Sequence, residues 1–383
     1  MSTSPSSSTP AAEAVASDAD STAPARPPHH APGGGFRNPW PASELRGTGD
    51  LLRWMGERLR SGRAFRRDRA RFERATPSFE RPRADSDTLT ATWVGHSTVL
   101  LQLGGVTLLT DPIWSGRASP VPLLGPKRHV PAALRFADLP PVDVTLVSHN
   151  HYDHLDARTV RRLRRRAPDM PWIAPLGVAS WLSGRGVRHA WELDWWDTLH
   201  VGGARVTAVP ARHFSARGFR DRMQTLWCGY VIEADGWRVL FCGDSGMHSE
   251  WESIGARLGP FDLMMIPVGA YEPRWFMEAV HMNPEEAVAA YGAVREGSRA
   301  AAGAVEARAG ETGRRGSPPT GKIPPPRHPP VMLPIHWGTF KLTDEPLDEP
   351  PTRTRAAWAR AGHEPDTLWL LRHGETRRLR HGA

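Results

Sequence analysis

The segment Ser148-His149-Asn150-His151-Tyr152-Asp153-His154 places three imidazoles and a carboxylate within six residues, directly after the apolar run Val142-Asp143-Val144-Thr145-Leu146-Val147. A chain released from a strand end into a loop can turn all four side chains toward one point, which an unbroken strand or helix cannot do. Imidazole nitrogen and carboxylate oxygen suit Zn²⁺, and Fe²⁺ or Mn²⁺ would accept the same donors. A single histidine is ordinarily a hydrogen-bonded residue and nothing more. Three of them beside an aspartate point to a metal.

Three later apolar runs end in the same way. Arg205 to Val209 leads to His213, Trp237 to Cys242 leads to Asp244, and Val331 to Ile335 leads to His336. Neighbouring strands that stop at one edge deliver their tips to one place. The sum, five histidines and two aspartates, is what two adjacent metals need if a carboxylate joins them and positions stay open for water and substrate.

Positioning these tips requires a sheet scaffold. From Thr88 onward β-type runs alternate with helical segments, the pattern of an α/β domain. The expected strands are 92–103, 106–110, 142–147, 172–174, 205–209, 226–233, 237–242, 263–267, 332–335 and 368–371, with helices at 157–166, 177–183, 284–294 and 354–361. In Leu226–Asp244 the pair Asp235-Gly236 reads as a two-residue hairpin turn. That register sets Cys242 opposite Gly229 and puts Cys228 and Cys242, the chain's two cysteines, on opposite faces. Free thiols follow.

The remaining organisation is set by composition. Residues 1–35 are rich in Ser, Ala, Pro and Gly and are expected to be a disordered tail. Residues 36–87 form a basic extension with an amphipathic helix carrying Leu51, Leu52, Trp54, Met55 and Leu59 near one face. The main domain is 88–383, interrupted at 297–330 by a proline-rich segment expected to be disordered. Net charge is +8, and Arg46 to Arg83 holds twelve arginines against five acids, which accounts for nearly all of it. No nucleic-acid partner is therefore expected, while peripheral contact with an anionic membrane through residues 46–83 is a secondary expectation behind a solvated helix surface. No run of ~18 apolar residues or secretory h-region occurs, so the expected place is the cytoplasm, or the inner membrane surface. The oligomeric state is left open.

With these residues in view, the pattern His149-x-His151-x-Asp153-His154 with His213, Asp244 and His336 resembles the metallo-β-lactamase fold superfamily of dinuclear hydrolases. The resemblance implies an α/β fold of four αββα layers with two Zn²⁺ at one edge. It implies one metal on His149, His151 and His213, the other on Asp153, His154 and His336, and Asp244 between them. The strings Thr92-Trp-Val-Gly-His-Ser-Thr-Val-Leu, Glu192-Leu-Asp-Trp-Trp, Gly269-Ala-Tyr-Glu-Pro-Arg-Trp-Phe-Met and Ile335-His-Trp-Gly-Thr-Phe are similar to the N-acylphosphatidylethanolamine-hydrolysing phospholipase D family. The similarity covers about residues 36–296 and 331 to the end.

That family resemblance implies a phospholipid or other phosphodiester substrate, with hydroxide generated between two cations attacking phosphorus to leave phosphatidate and N-acylethanolamine. Asp153, Asp244 and His281 are then the expected catalytic residues, with His281 on the phosphate or leaving group and Tyr152 on the lipid head. Alternatives on the same metals are a lactone, a thioester or a nucleic-acid phosphodiester. Asp111 is balanced between orienting a ligand imidazole and capping a turn. His96 reads first as a core hydrogen-bonding residue. Arg274 and Glu272 read equally as a pair or as phosphate contacts, and Trp195 and Trp196 as core aromatics.

Overall fold

The computed structural model describes residues 26–40, 45–62, 68, 70–121, 123–218, 220–312 and 328–381. Residues 1–25 of the tail, 63–67 and 69 of the basic stretch and 313–327 of the proline-rich segment lie outside the described residues.

In chain order the elements are α1 (Thr48–Arg60), β1 (Thr88–Gly95), β2 (Thr98–Leu103), β3 (Val106–Thr110), β4 (Val144–Leu146), α2 (Ala157–Arg166), β5 (Trp172–Pro175), α3 (Ala179–Ser183), β6 (Ala190–Leu193), β7 (Thr198–Val201), β8 (Ala204–Val209), β9 (Gly229–Ala234), β10 (Trp237–Phe241), α4 (Trp251–Leu258), β11 (Leu263–Pro267), α5 (Arg274–Met277), α6 (Pro284–Thr312), β12 (Val331–Ile335), α7 (Glu349–Arg360) and β13 (Thr376–Arg380). They build two mixed sheets, ordered β13-β1-β2-β3-β4-β5-β6 and β12-β11-β10-β9-β8-β7. The inner faces share one apolar core, with Trp93, Leu101 and Leu146 of the first sheet and Val206, Ile232 and Val239 of the second. Helices α2 and α3 cover the outer face of the first sheet through Val160, Leu163 and Leu182. Helices α4, α6 and α7 pack together, with α6 reaching β11. The order helix, sheet, sheet, helix is the four-layer α/β architecture expected.

Local chemistry explains the elements that carry the site. Strands β10, β11 and β12 run parallel, and β11 and β12 are buried apolar runs throughout, as strands covered on both faces must be. The β9–β10 hairpin turns on Asp235 and Gly236, both left-handed at φ 44° and 83°, as a two-residue primed turn demands. Trp237 faces Ala234 and Phe241 faces Tyr230, the anticipated register, and both cysteines are free and buried. Helix α2 starts at Asp156, whose carboxylate accepts from the Arg158 amide at 3.1 Å.

Several expectations need correction. The run 92–103 is two strands, because the chain turns at His96 and Ser97 after a register shift between Trp93 and Gly95. Residues 368–371 form only a single bridge from Leu368 to Met332, and β13 instead closes the first sheet. The tail is ordered from residue 26. His29 and His30 each bring Nε2 to one oxygen of Asp194, at 2.6 and 2.7 Å, and His29 stacks on Trp195 at 4.1 Å. Those contacts are polar and aromatic, so counting aliphatic residues did not reveal them.

Residues 297–312, expected to be disordered, continue α6. The physical reason is its crossing with α4, where a Cβ on Gly297 would lie 2.0 Å from the Glu252 carbonyl and one on Gly255 2.0 Å from that of Val294. Ser298 Oγ also donates to the Gly255 carbonyl at 3.1 Å. Backbone contact there ties down a helix with few large apolar side chains. On α1, Trp54 is buried and its indole donates to Asp344 at 2.8 Å, while Leu51, Leu52, Met55 and Leu59 are 40–64% exposed. At about 100° per residue these four occupy about 100° of arc on the face turned away. No helix among the described residues is long and apolar enough to cross a membrane.

Candidate metal centre

The predicted donors come from four strand ends on one edge. The loop after β4 carries His149 to His154, and the segments after β8, β10 and β12 carry His213, Asp244 and His336. Backbone bonds stitch these ends together: Cys228 N to Ser148 O at 3.0 Å, Gly246 N to Arg212 O at 2.8 Å and His336 N to His96 O at 3.1 Å. Gly243 is left-handed at φ 61°, and a Cβ there would fall 2.7 Å from that of Ser148. A glycine is what lets the Asp244 loop close over the His149 loop.

The donors fall into two groups that share one oxygen. His151 Nδ1 stands 2.9 Å from His149 Nε2 and 3.2 Å from His213 Nε2, with Asp244 Oδ2 at 3.9 and 3.8 Å from the latter two. In the second group Asp153 Oδ2 lies 3.3 Å from His154 Nε2 and 3.4 Å from His336 Nε2. Asp244 Oδ2 is 3.1 Å from each of those imidazoles. Ligands about 2.0–2.1 Å from a tetrahedral ion stand roughly 3.3 Å apart. The second group matches that spacing on every distance given.

Unpartnered atoms support the same reading. His154 Nε2, His336 Nε2 and Asp244 Oδ1 are buried without a hydrogen bond, although the two nitrogens lie 3.1 Å from Asp244 Oδ2. At that separation only the angles can be wrong for a hydrogen bond. Buried polar atoms are otherwise nearly always paired, so this donor set fits a pair of cations.

Neighbouring groups fix which nitrogen faces the centre. His149 Nδ1 is 2.9 Å from Ser148 Oγ, His213 Nδ1 is 2.9 Å from the Val280 carbonyl, and His154 Nδ1 is 2.6 Å from Asp111 Oδ2. Each contact reserves Nε2 for the centre. Asp111 also accepts from the Ser148 hydroxyl at 2.6 Å and the Ser148 amide at 2.7 Å. It therefore orients His154 rather than only capping a turn. Ser148 was missed from sequence, where a serine at a strand end carries no signal.

The charges are strongly coupled. Burial pushes the Asp244 carboxyl up, but the His154 and His336 rings override it and hold it well below the usual carboxylate range. Burial lowers His154, and Asp244, Asp153 and Asp111 more than reverse this. His336 is likewise raised to about 9 by Asp244 against its burial. Burial brings His151 down to about 3 and His213 to about 4. The three-imidazole group thus offers neutral ligands, and the other balances carboxylates with cationic charge that metal ions would supply.

The remaining predicted residues lie around this centre. His281 is buried, 5.0 Å ring to ring from His213 and 5.3 Å from His336, with Nδ1 unpartnered. Tyr152 donates its hydroxyl to the Arg217 carbonyl at 2.5 Å, under the Arg217 guanidinium at 4.1 Å. The Arg274 guanidinium donates from one nitrogen to both oxygens of Glu286 at 2.7 and 2.9 Å, and only its backbone amide reaches the Glu272 carboxylate, at 3.2 Å. Trp195 is buried and packed in the core cluster, with Trp196 partly buried against it.

A family model described as a beta-lactamase superfamily domain matches residues 107–301. Over 217 residues the chain is 43% identical to N-acyl-phosphatidylethanolamine-hydrolyzing phospholipase D 1 of Caenorhabditis elegans, covering 54% of this chain and 61% of that protein's length. It is 38% identical over 328 residues to an uncharacterized protein of Mycobacterium tuberculosis, covering 85% and 78% of the two chains. Among solved structures, a metallo hydrolase from the archaeon Ignicoccus hospitalis superposes with a TM-score of 0.52 at 19% identity, over 77% of this chain and 99% of the other.

Proposed function

This chain is a metal-dependent hydrolase that belongs to the beta-lactamase superfamily, and we propose that it is a phosphodiesterase of phospholipase D type acting on N-acylphosphatidylethanolamine-like lipids. The observation that carries the reading is the complete set of seven donors in two groups joined through Asp244. The lipid substrate class is supported by the nematode relative. Two Zn²⁺ ions held there would supply hydroxide at neutral pH and neutralise phosphoryl charge.

Water adds to phosphorus, the bond to the ethanolamine oxygen breaks, and that oxygen leaves with a proton, giving phosphatidate and N-acylethanolamine. His281 holds its place beside His213 and Asp244, and burial keeps its imidazole well below the ordinary range and so neutral. Its unpartnered Nδ1 is assigned to the phosphate or the departing oxygen. Tyr152, whose hydroxyl is given to the Arg217 carbonyl and whose ring lies under the Arg217 guanidinium, is assigned to the lipid head.

Contact with a lipid surface is assigned to α1. Its anchor Trp54 sits 5.1 Å from Phe276, which packs in one cluster with Phe214, and Phe214 lies 4.5 Å from His151. Leu52, Met55 and Leu59 stand exposed on the same helix, on the face turned away from Trp54. Arg53, Arg58 and Arg46 are paired with Glu57, Asp344 and Glu278 at 2.9, 2.9 and 4.0 Å. Attachment is accordingly driven by apolar burial more than by charge.

The test is purified protein with defined zinc offered N-acylphosphatidylethanolamine, bis-p-nitrophenyl phosphate, a lactone and RNA, alongside Asp244→Ala. Cleavage of the lipid and the diester, abolished in Asp244→Ala, is expected. Turnover of the lactone alone overturns the phosphodiesterase reading, and turnover surviving Asp244→Ala overturns the two-metal reading.

A further inference from the structure

We propose that His96 is a positioning residue for the second metal group, donating from Nε2–H to Asp153 and so fixing that carboxylate, without itself being a ligand. The proposal rests on the metal-centre reading and not on the substrate. His96 lies in the turn between β1 and β2, is 1% exposed, and adopts a left-handed φ of 59°. A side chain is strained in that conformation, and glycine would adopt it freely. The strained backbone is held on both sides: its amide donates to Thr339 Oγ1 at 2.7 Å, and its carbonyl accepts from the His336 amide at 3.1 Å and the Trp93 indole at 2.8 Å. The turn thus ties the first sheet to the ligand-bearing end of β12, and the imidazole is what the strain retains.

That imidazole has one polar contact, Nε2 to Asp153 Oδ2 at 2.8 Å. It also lies within 4.8 Å of the donor atoms of Asp153, His154 and His336, so ligand and positioning roles compete. One observation separates them. The true donors of this group stand 3.1–3.4 Å apart, the spacing of atoms around a common ion, whereas 2.8 Å is a hydrogen-bond length.

Donation to the oxygen nearest His154 and His336 keeps Asp153 from rotating away from them. Orienting contacts of this kind are worth 10–100-fold in metal affinity. The experiment is titration of the apo protein with Zn²⁺ and Co²⁺ against a chromophoric chelator, on wild type, His96→Gly and His96→Gln. His96→Gly relaxes the left-handed backbone but empties the buried ring volume, so its Tm is read beside the titration to confirm that it folds. It is expected to bind the first cation as wild type does and the second about 10–100-fold more weakly. His96→Gln returns an N–H near the Nε2 position and is expected to recover most of the loss, with an unchanged Co²⁺ absorption spectrum. Equal second-cation affinity in His96→Gly overturns the proposal. So does a His96→Gln protein as weak as His96→Gly whose Co²⁺ spectrum reports a lost ligand. Wild type that binds one cation or none fails the metal-centre reading itself, a result separate from any failure to cleave lipid.

Discussion

Asp111→Asn removes one charge and almost no volume from the most enclosed part of the centre. Asp111 is fully buried, and burial pushes its carboxyl up. It nevertheless serves three donors: His154 Nδ1, the Ser148 hydroxyl and the Ser148 amide, at 2.6, 2.6 and 2.7 Å. An asparagine has one oxygen for them. If that oxygen keeps the Ser148 amide, the NH₂ group faces His154 Nδ1 and drives its proton to Nε2, the atom 3.1 Å from Asp244. If it turns to His154 instead, the NH₂ group opposes the Ser148 N–H in a site closed to water. Either way one charge-assisted hydrogen bond is lost, about 1.5–3 kcal/mol. At about 1.4 kcal/mol per tenfold, the second cation should bind roughly 10–150-fold more weakly. Chelator competition measures this directly, with total metal per chain and kcat as companions. Asp111→Asn protein that binds its second cation as tightly as wild type and turns over at the same rate would refute the claim that Asp111 sets the His154 tautomer.

Other perturbations probe the scaffold. Leu52→Asp and Leu59→Asp, at positions 64% and 56% exposed, should each weaken vesicle sedimentation about tenfold, from roughly 1–2 kcal/mol of lost apolar burial. Little salt dependence is expected, and a steep salt dependence with no leucine effect would contradict this. Gly255→Ala sets a methyl group 2.0 Å from the Val294 carbonyl and should cost about 1–3 kcal/mol in urea unfolding; unchanged stability would show that α6 is not fastened at that crossing. Burial raises Asp194, but its bonds to His29 and His30 hold it below its ordinary value. A lowered carboxyl stabilises the fold fully above its unfolded value of about 3.9 and loses that contribution as the pH falls through the folded one. Residues 26–40 should therefore stay protected from hydrogen exchange at neutral pH and open only in acid, whereas Asp194→Ala should expose them at pH 7.

The metal donors could be read from sequence because each follows a strand whose apolar run is conspicuous. The same holds for the β9–β10 hairpin, where Asp235-Gly236 names its own turn type. The structure extends beyond these signals where order does not come from aliphatic periodicity. Strand β13, Thr-Arg-Arg-Leu-Arg, has one apolar residue, and its place is fixed by pairing with β1, as in Leu379 opposite Leu89. Helix α6 outruns its apolar pattern because two glycines admit backbone contact with α4. The 26–40 segment is held by two imidazoles on one carboxylate. Asp111 and His96 were visible as residues, but their roles depend on a neighbour 43 or 57 positions away, and no local spacing reports that.

The parallel register of β12 on β11, from Leu263 opposite Val331 to Pro267 opposite Ile335, has a consequence for how this chain tolerates change. His336 obtains its coordinates from a ladder and not from the length of polypeptide between it and His281. The stretch that leaves α6 and returns at β12 can be lengthened, shortened or replaced in a descendant protein, and the last imidazole will still dock beside Asp244 wherever the five-residue ladder zips. Novelty can therefore accumulate in that stretch while the chemistry stays untouched.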